Sequence, residues 1–239
     1  MGRAFEVRKA SMAKTAAAKS KVYARFGREI YMAAKAGTPD PETNQALKRV
    51  IERAKKEQVT ADIIKRAIDK AKGGSDENYT EIRYEGFGPE NSLIIIDCLT
   101  DNTNRTISDI RKLFNKAYGK LGVSGSVLHQ FNHKAVFEVE ATENKLLEIL
   151  LENDIDITDY EAEDGMVTIY AEPVDYGRVI DVLKDNGLEP KEDAIMFIPM
   201  QTIQIQDPEE LAKFDRLIEG LNELDDIKEV FHNVVSENE

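Results

Sequence analysis

The chain of 239 residues has no tryptophan, a single cysteine, Cys98, and three histidines. One cysteine excludes an intrachain disulfide and any Cys-x-x-Cys pair, and its place beside an apolar run reads as a buried thiol rather than a nucleophile. His129 and His133 flank Phe131 with no third ligand or general base, so neither a metal site nor a catalytic pair is expected from them. Long hydrophobic runs are also missing. Residues 93–96 and 194–198 are cut short by Asp97 and Pro199, far below the roughly 20 apolar residues that cross a bilayer, so no membrane span is expected. Residues 1–6 lack the apolar core of a signal peptide, and Glu6 stands where a myristoylation site has Ser or Thr. The expected compartment is the cytoplasm. No P-loop or catalytic triad is present, and Gly86-Phe87-Gly88 lacks the third glycine and the strand-then-helix context of a dinucleotide fingerprint. No catalytic residue, metal ligand or cofactor is expected.

Charge is abundant but unevenly placed. The whole chain has a net charge of −13, yet residues 1–75 hold 18 Lys and Arg against 8 Asp and Glu. Residues 76–134 are near balance at 7 against 8, and residues 135–239 hold 7 against 29. Because salt screens over about 10 Å, a basic head acts separately from an acidic body. The asymmetry points to a nucleic-acid partner for the head.

Within the head, residues 21–35 organise the rest. At about 100° per residue, Lys21, Arg25, Arg28 and Lys35 fall within roughly 80° of one another, while Tyr23, Phe26, Ile30 and Ala33 project from the opposite side. The spacing predicts a helix with one core face and one cationic face, stopped by a left-handed Gly37. Residues 3–20 place Arg3, Arg8, Lys9, Lys14 and Lys19 among alanines and read as a mobile basic arm or a frayed first helix. Asp40-Pro41-Glu42 reads as a second helix start. Its Leu47, Val50, Ile51 and Ala54 form an apolar stripe, with Lys48, Arg49, Arg53, Lys55 and Lys56 on the polar side. Thr60 caps a third helix, and Gly73-Gly74-Ser75 reads as a linker. The residues expected to contact nucleic acid are Arg3, Arg8, Lys9, Lys14, Lys21, Arg25, Arg28, Lys35, Arg49, Arg53 and Lys56. Arg105 joins them at a later helix start, where a phosphate would meet free N–H groups unless Asn102 and Asn104 simply cap the helix.

Beyond the linker the period becomes extended. Strands are expected at 81–85 and 92–99, then a helix with Ile107, Ile110, Leu113, Phe114 and Ala117 inward, then a strand at 126–131. Residues 135–198 alternate in a βαββαβ order, the ferredoxin-like pattern. A strand at 201–206, a helix opened by Asp207-Pro208 and a strand at 227–235 then complete a second strand-helix-strand unit. The expected fold class is α+β: an N-terminal three-helix domain (1–75) followed by two ferredoxin-like α+β domains. One of these (133–200) is inserted in the other (78–132 and 201–239).

Five segments in order, Lys21-Val-Tyr-Ala-Arg-Phe-Gly-Arg-Glu-Ile-Tyr31, Pro39-Asp-Pro-Glu-Thr-Asn44, Arg83-Tyr-Glu-Gly-Phe-Gly-Pro89, Leu99-Thr-Asp-Asn-Thr-Asn-Arg-Thr106 and Gly125-Ser-Val127, resemble the YebC family, nearest its YeeN-type branch. The likeness runs through the whole chain. It implies a three-domain α+β protein and a DNA-binding probable transcriptional regulator, while mitochondrial and some bacterial members are instead linked to translation on the ribosome. Two segments depart from the family pattern. Its His-Ser-Lys-Trp-Ala-Asn stretch is here Arg3-Ala-Phe-Glu-Val-Arg8, and its Gly-Pro-Gly-Gly turn is Gly88-Pro-Glu-Asn91. The resulting expectation is a non-catalytic nucleic-acid-binding regulator of transcription, with ribosomal or other structured RNA as the alternative partner and an enzyme with an unrecognised site as a remote one. Lys and Arg without Asn or Gln on the stripe suit phosphate contacts that position without reading sequence. Oligomeric state is not legible in these residues.

Overall fold

A computed structural model describes residues 16–74 and 77–235. The arm residues Arg3, Arg8, Lys9 and Lys14 lie outside the described residues. The head is three helices, α1 (Ala16–Ala36), α2 (Gln45–Lys56) and α3 (Ala61–Lys72). They close on Phe26, Ile30, Ala34, Leu47, Ile51, Ala54, Ile64 and Ala67, and each large apolar side chain buried this way contributes roughly 2 kcal/mol.

Two details of the head differ from the expected ones for one reason, Asn44. The second helix begins at Gln45, not at Pro41, because Asn44 Oδ1 accepts the Leu47 N–H at 3.0 Å as the N-cap. The Asn44 amide also donates to Ala33 O at 2.9 Å and Thr38 O at 2.8 Å, tying the end of α1 to the start of α2. Gly37 is not left-handed. It is bare because a Cβ there would stand 2.7 Å from Asn44 Nδ2.

The body contains β1 (Thr80–Phe87), β2 (Leu93–Thr100), α4 (Thr103–Lys116), β3 (Lys120–Leu121), β4 (Phe131–Glu140), α5 (Glu143–Glu152), β5 (Asp159–Glu163), β6 (Met166–Ala171), α6 (Tyr176–Asp185), β7 (Glu192–Pro199), α7 (Pro208–Glu223) and β8 (Ile227–His232). Among the described residues the architecture is mixed α+β, with seven helices and two four-stranded antiparallel sheets, ordered β3-β1-β2-β8 and β5-β6-β4-β7. The second sheet's strands, read along the chain with α5 and α6, keep the βαββαβ sequence of elements.

The first sheet departs from the expected order. It opens as expected with strands near 81–85 and 92–99, here the antiparallel β1–β2 hairpin, and differs after α4. Residues 126–130 are not a strand, because the backbone N–H groups of Val127 and Leu128 turn toward the Glu85 carboxylate instead of a neighbouring strand. Residues 201–206 are not a strand of the sheet: Ile203 forms an isolated parallel bridge with Val234, beyond the end of β8, and Ile205 is buried in the core under the sheet. In the hairpin turn, Glu90 and Asn91 adopt φ of 50° and 57°. These are the positions the YebC pattern fills with glycine, the residue that takes left-handed angles without strain.

The two sheets pack face to face. On β2, Ile94 and Ile96 point to α4 and α7, with Phe114, Phe214 and Leu217. Ile95 points the other way, joining Val136, Tyr170, Met196, Phe197 and Phe231 between the sheets. On the outer face of the second sheet, Phe137 and Ile169 meet Leu146, Val179 and Leu183 of α5 and α6. Burial on both faces is why residues 93–96 form an unbroken apolar run. Burial likewise pushes the Cys98 thiol up to about 12. It brings the His232 imidazole, edge-on to Phe214 at 5.1 Å, down to about 4, so His232 is neutral at physiological pH.

Candidate nucleic-acid interface

The cationic edge of α1 is turned onto the body. Lys21 donates to Asn222 O, in the last turn of α7, where helix carbonyls lack partners and a cation is favoured. Arg25 donates to Lys228 O at 3.1 Å, on the edge strand β8. Arg28 donates to Leu99 O at 3.4 Å and Asp225 O at 2.5 Å, and lies 3.7 Å from the Asp226 carboxylate. Lys35 reaches Glu77 O at 2.9 Å and Asn78 Oδ1 at 3.0 Å. An open sheet edge and a helix C-terminus are thus covered by the head. Burial lowers the Lys21 pKa, against the pull of Asp225 and Glu223.

The second row of cations is similarly engaged. Arg53 pairs with the buried Glu29 at 2.8 Å, and Lys56 pairs with Asp193 and donates to Pro190 O at 3.3 Å. Arg49 lies 3.9 Å from Asp181 and covers Gly177, where a Cβ would strike its guanidinium. These side chains line a cleft of about 950 Å³ between the head and the two sheets. At the start of α4, Asn102 Oδ1 accepts the Arg105 N–H at 3.0 Å, and the Arg105 guanidinium forks onto Asp226 at 2.8 and 2.9 Å and onto Asp101 at 2.7 Å. The hydrogen bonds to Asp226 and Asp101 hold its pKa above the ordinary arginine value. A phosphate at this helix start would compete with both carboxylates.

What is left open on the head is a different set. Lys48 and Lys55 on α2 and Lys65 on α3 are exposed, and their side chains make neither an ion pair nor a hydrogen bond among the described residues. Lys48 and Lys55 are seven positions apart, hence on one side of α2. Arg66 and Lys72 are exposed too, paired within α3 to Asp62 and Asp69, and such pairs are worth little against a polyanion. Helical spacing could have separated Lys48 and Lys55 from Arg49, Arg53 and Lys56, which lie about a quarter-turn or more further round. It could not say which side meets the body.

The body carries a second exposed feature, the loop after α4. Its base is Glu85 of β1, a buried carboxylate that accepts the N–H groups of Gly125 at 2.6 Å, Val127 at 2.6 Å and Leu128 at 2.8 Å. Burial pushes its pKa up, but the three donors outweigh that and leave it below the ordinary value. At the loop's start the Gly119 N–H returns to Phe114 O at 2.9 Å and the Tyr118 N–H to Asn115 O at 3.2 Å, a Schellman end in which the left-handed place belongs to Tyr118, φ 56°. A non-glycine residue there costs about 1 kcal/mol.

Neither histidine noted in the sequence joins a cluster. His129 Nδ1 is 3.1 Å from Gly125 O, and His133 stacks on Phe197 at 4.3 Å. Among the described residues no three His, Cys, Asp or Glu are placed to hold a metal ion, and no helix is long and apolar enough to cross a membrane.

Residues 3–74 match the TACO1/YebC protein N-terminal domain, and residues 79–234 match the TACO1/YebC second and third domain. The chain belongs to the TACO1/YebC family. One TACO1/YebC relative, a probable transcriptional regulatory protein of Acholeplasma laidlawii, is 88% identical over 239 residues, covering 100% of both chains. Another of that name, from Pseudoalteromonas atlantica, is 49% identical over 242 residues, covering 100% of this chain and 99% of its own. The crystal structure of a conserved hypothetical protein from Aquifex aeolicus is similar with a TM-score of 0.79 at 35% identity, over 95% of this chain and 94% of that one.

Proposed function

We propose that this TACO1/YebC chain is a non-catalytic cytoplasmic regulator of transcription that binds DNA through the outer side of its helical head. The observation that carries the reading is the trio Lys48, Lys55 and Lys65, exposed and unpartnered in a head with 18 cationic against 8 anionic residues. Arg3, Arg8, Lys9 and Lys14 add to the positive charge of the same stretch of sequence, and the 29 acidic residues of 135–239 repel a polyanion from the rest. The inward-facing Lys21, Arg25, Arg28 and Lys35 fix the head on the body, so the trio is presented at a set orientation. The working units are the head (1–75), an outer α+β domain (78–132 and 201–239) and an inserted one (133–200). Lysines alone make phosphate contacts, which set affinity and register rather than sequence choice, and structured RNA presents the same phosphates.

The test is filter binding of full-length chain to duplex DNA over a salt series. Lys48→Glu/Lys55→Glu/Lys65→Glu should bind at least about tenfold more weakly and flatten the log–log salt slope by roughly 0.9 per lost phosphate contact, with an unchanged Tm because all three side chains are exposed. An unaltered slope and affinity would reject this surface.

A further inference from the structure

Tyr118 holds a large aromatic side chain in solvent at the end of α4. The Schellman end of α4 favours glycine at this position, yet a tyrosine is held there at φ 56°, 85% exposed. Two other helices end in the same way on an exposed non-glycine residue, α2 at Gln58 and α5 at Asp154, both polar; what sets the end of α4 apart is a large aromatic side chain left in solvent. The presentation is rigid. Gly119 has no room for a side chain, since a Cβ would lie 2.6 Å from Phe87 O, and the Gly122 N–H is fixed to Glu85 O at 2.8 Å. The far end of the loop is anchored on the Glu85 carboxylate.

The ring's surroundings are cationic. Lys213, itself paired to Glu210, lies 5.2 Å from the ring centroid. Lys116 and Lys120, two residues to either side, are exposed, and Lys116 has no ion-pair partner among the described residues. The sequence supports this independently: in a chain with 45 acidic residues, 110–137 contains no Asp or Glu but holds Arg111, Lys112, Lys116, Lys120 and Lys134.

We propose that Tyr118 is a stacking platform for an unpaired nucleobase, with Lys116 and Lys120 taking the phosphates on either side, so that the protein holds a single-stranded segment of nucleic acid on its body. Every base has a π-face, and an exposed aromatic ring between cations is the means by which single strands are held without sequence choice. A duplex keeps its bases stacked inside and cannot use the ring. The inference rests on the proposed nucleic-acid binding and adds to it a preference for a junction of paired and unpaired strands, the head on the paired part.

The test uses full-length chain, a fluorescein-labelled single-stranded DNA of about twelve nucleotides, and the same sequence as a duplex, read by fluorescence anisotropy. Tyr118→Gly removes the ring and relieves the left-handed strain, so it stays folded with a Tm equal to or above that of the parent. It should bind the single strand about tenfold more weakly and the duplex unchanged, and Tyr118→Phe should bind both like the parent. Tyr118→Trp introduces the chain's sole tryptophan, whose emission should be quenched by the single strand and not by the duplex. Parent-like single-strand binding by Tyr118→Gly, or no quenching, overturns the platform even if the head lysine variant loses duplex binding, and would leave this loop to an acidic protein partner. Binding of neither nucleic acid by the parent overturns both readings.

Discussion

Replacing Glu85 with glutamine is expected to lower unfolding free energy at pH 7 by about 3 kcal/mol, measured by urea denaturation. The carboxylate accepts three backbone N–H groups where little water reaches. Glutamine offers one carbonyl oxygen and turns an NH₂ toward the remaining donors, and each buried donor left without an acceptor costs roughly 1–3 kcal/mol. The pH dependence has a definite sign. Glu85 has a depressed pKa in the folded state, so its contribution is fully present above the unfolded value of about 4.3 and is lost as pH falls through the folded one. The gap between parent and Glu85→Gln should therefore be widest at neutral pH and narrow below about pH 4. In the same variant, amides of 125–128 should exchange faster than those of β1 and β2. A difference under about 0.5 kcal/mol at pH 7 would mean that water or another donor set supports the loop.

The second large effect concerns the seam between head and body. Arg25→Ala/Arg28→Ala/Lys56→Ala is expected to weaken docking by about 3 kcal/mol, taking roughly 1 kcal/mol for each of the three charged side chains removed. Arg25 gives up Lys228 O, Arg28 gives up Leu99 O and Asp225 O, and Lys56 gives up Asp193. The cores of the head and of the sheets are untouched, so each should keep its own secondary structure. Calorimetry should show the parent's single transition split in two, and limited trypsin should cut early after Lys72, releasing the head. In the parent that cut should come late. A single transition in the triple variant at the parent's temperature would show that the seam is held by other contacts.

The elements were legible wherever one chemical period ran uninterrupted. The 3.6-residue spacing of Leu47, Ile51 and Ala54 and the alternation of Ala135, Phe137 and Val139 each gave the right element, because each buries one face. The loop at 126–130 misled because Val127 and Leu128 are apolar and β-prone, while its organising group, Glu85, lies 40 residues earlier and looks like any strand carboxylate. The α1 stripe shows a more general limit. Periodicity placed Lys21, Arg25, Arg28 and Lys35 on one face, but a face turned to solvent and one turned to backbone carbonyls have the same sequence. Only the tertiary arrangement separates those cations from Lys48, Lys55 and Lys65. Tyr118 could have been noticed as a non-glycine residue at a helix end within an acid-free stretch, but its exposure and left-handed angle come from the fold.

That division of the cations is best tested by lysine footprinting: brief acetylation of the full-length chain, free and bound to duplex DNA, with each site read by mass spectrometry. Protection on binding is predicted at Lys48, Lys55 and Lys65, with no change at Lys145 and Lys191, which are also exposed but sit in the acidic stretch 135–239. Unprotected head lysines together with protection at Lys145 or Lys191 would contradict the account.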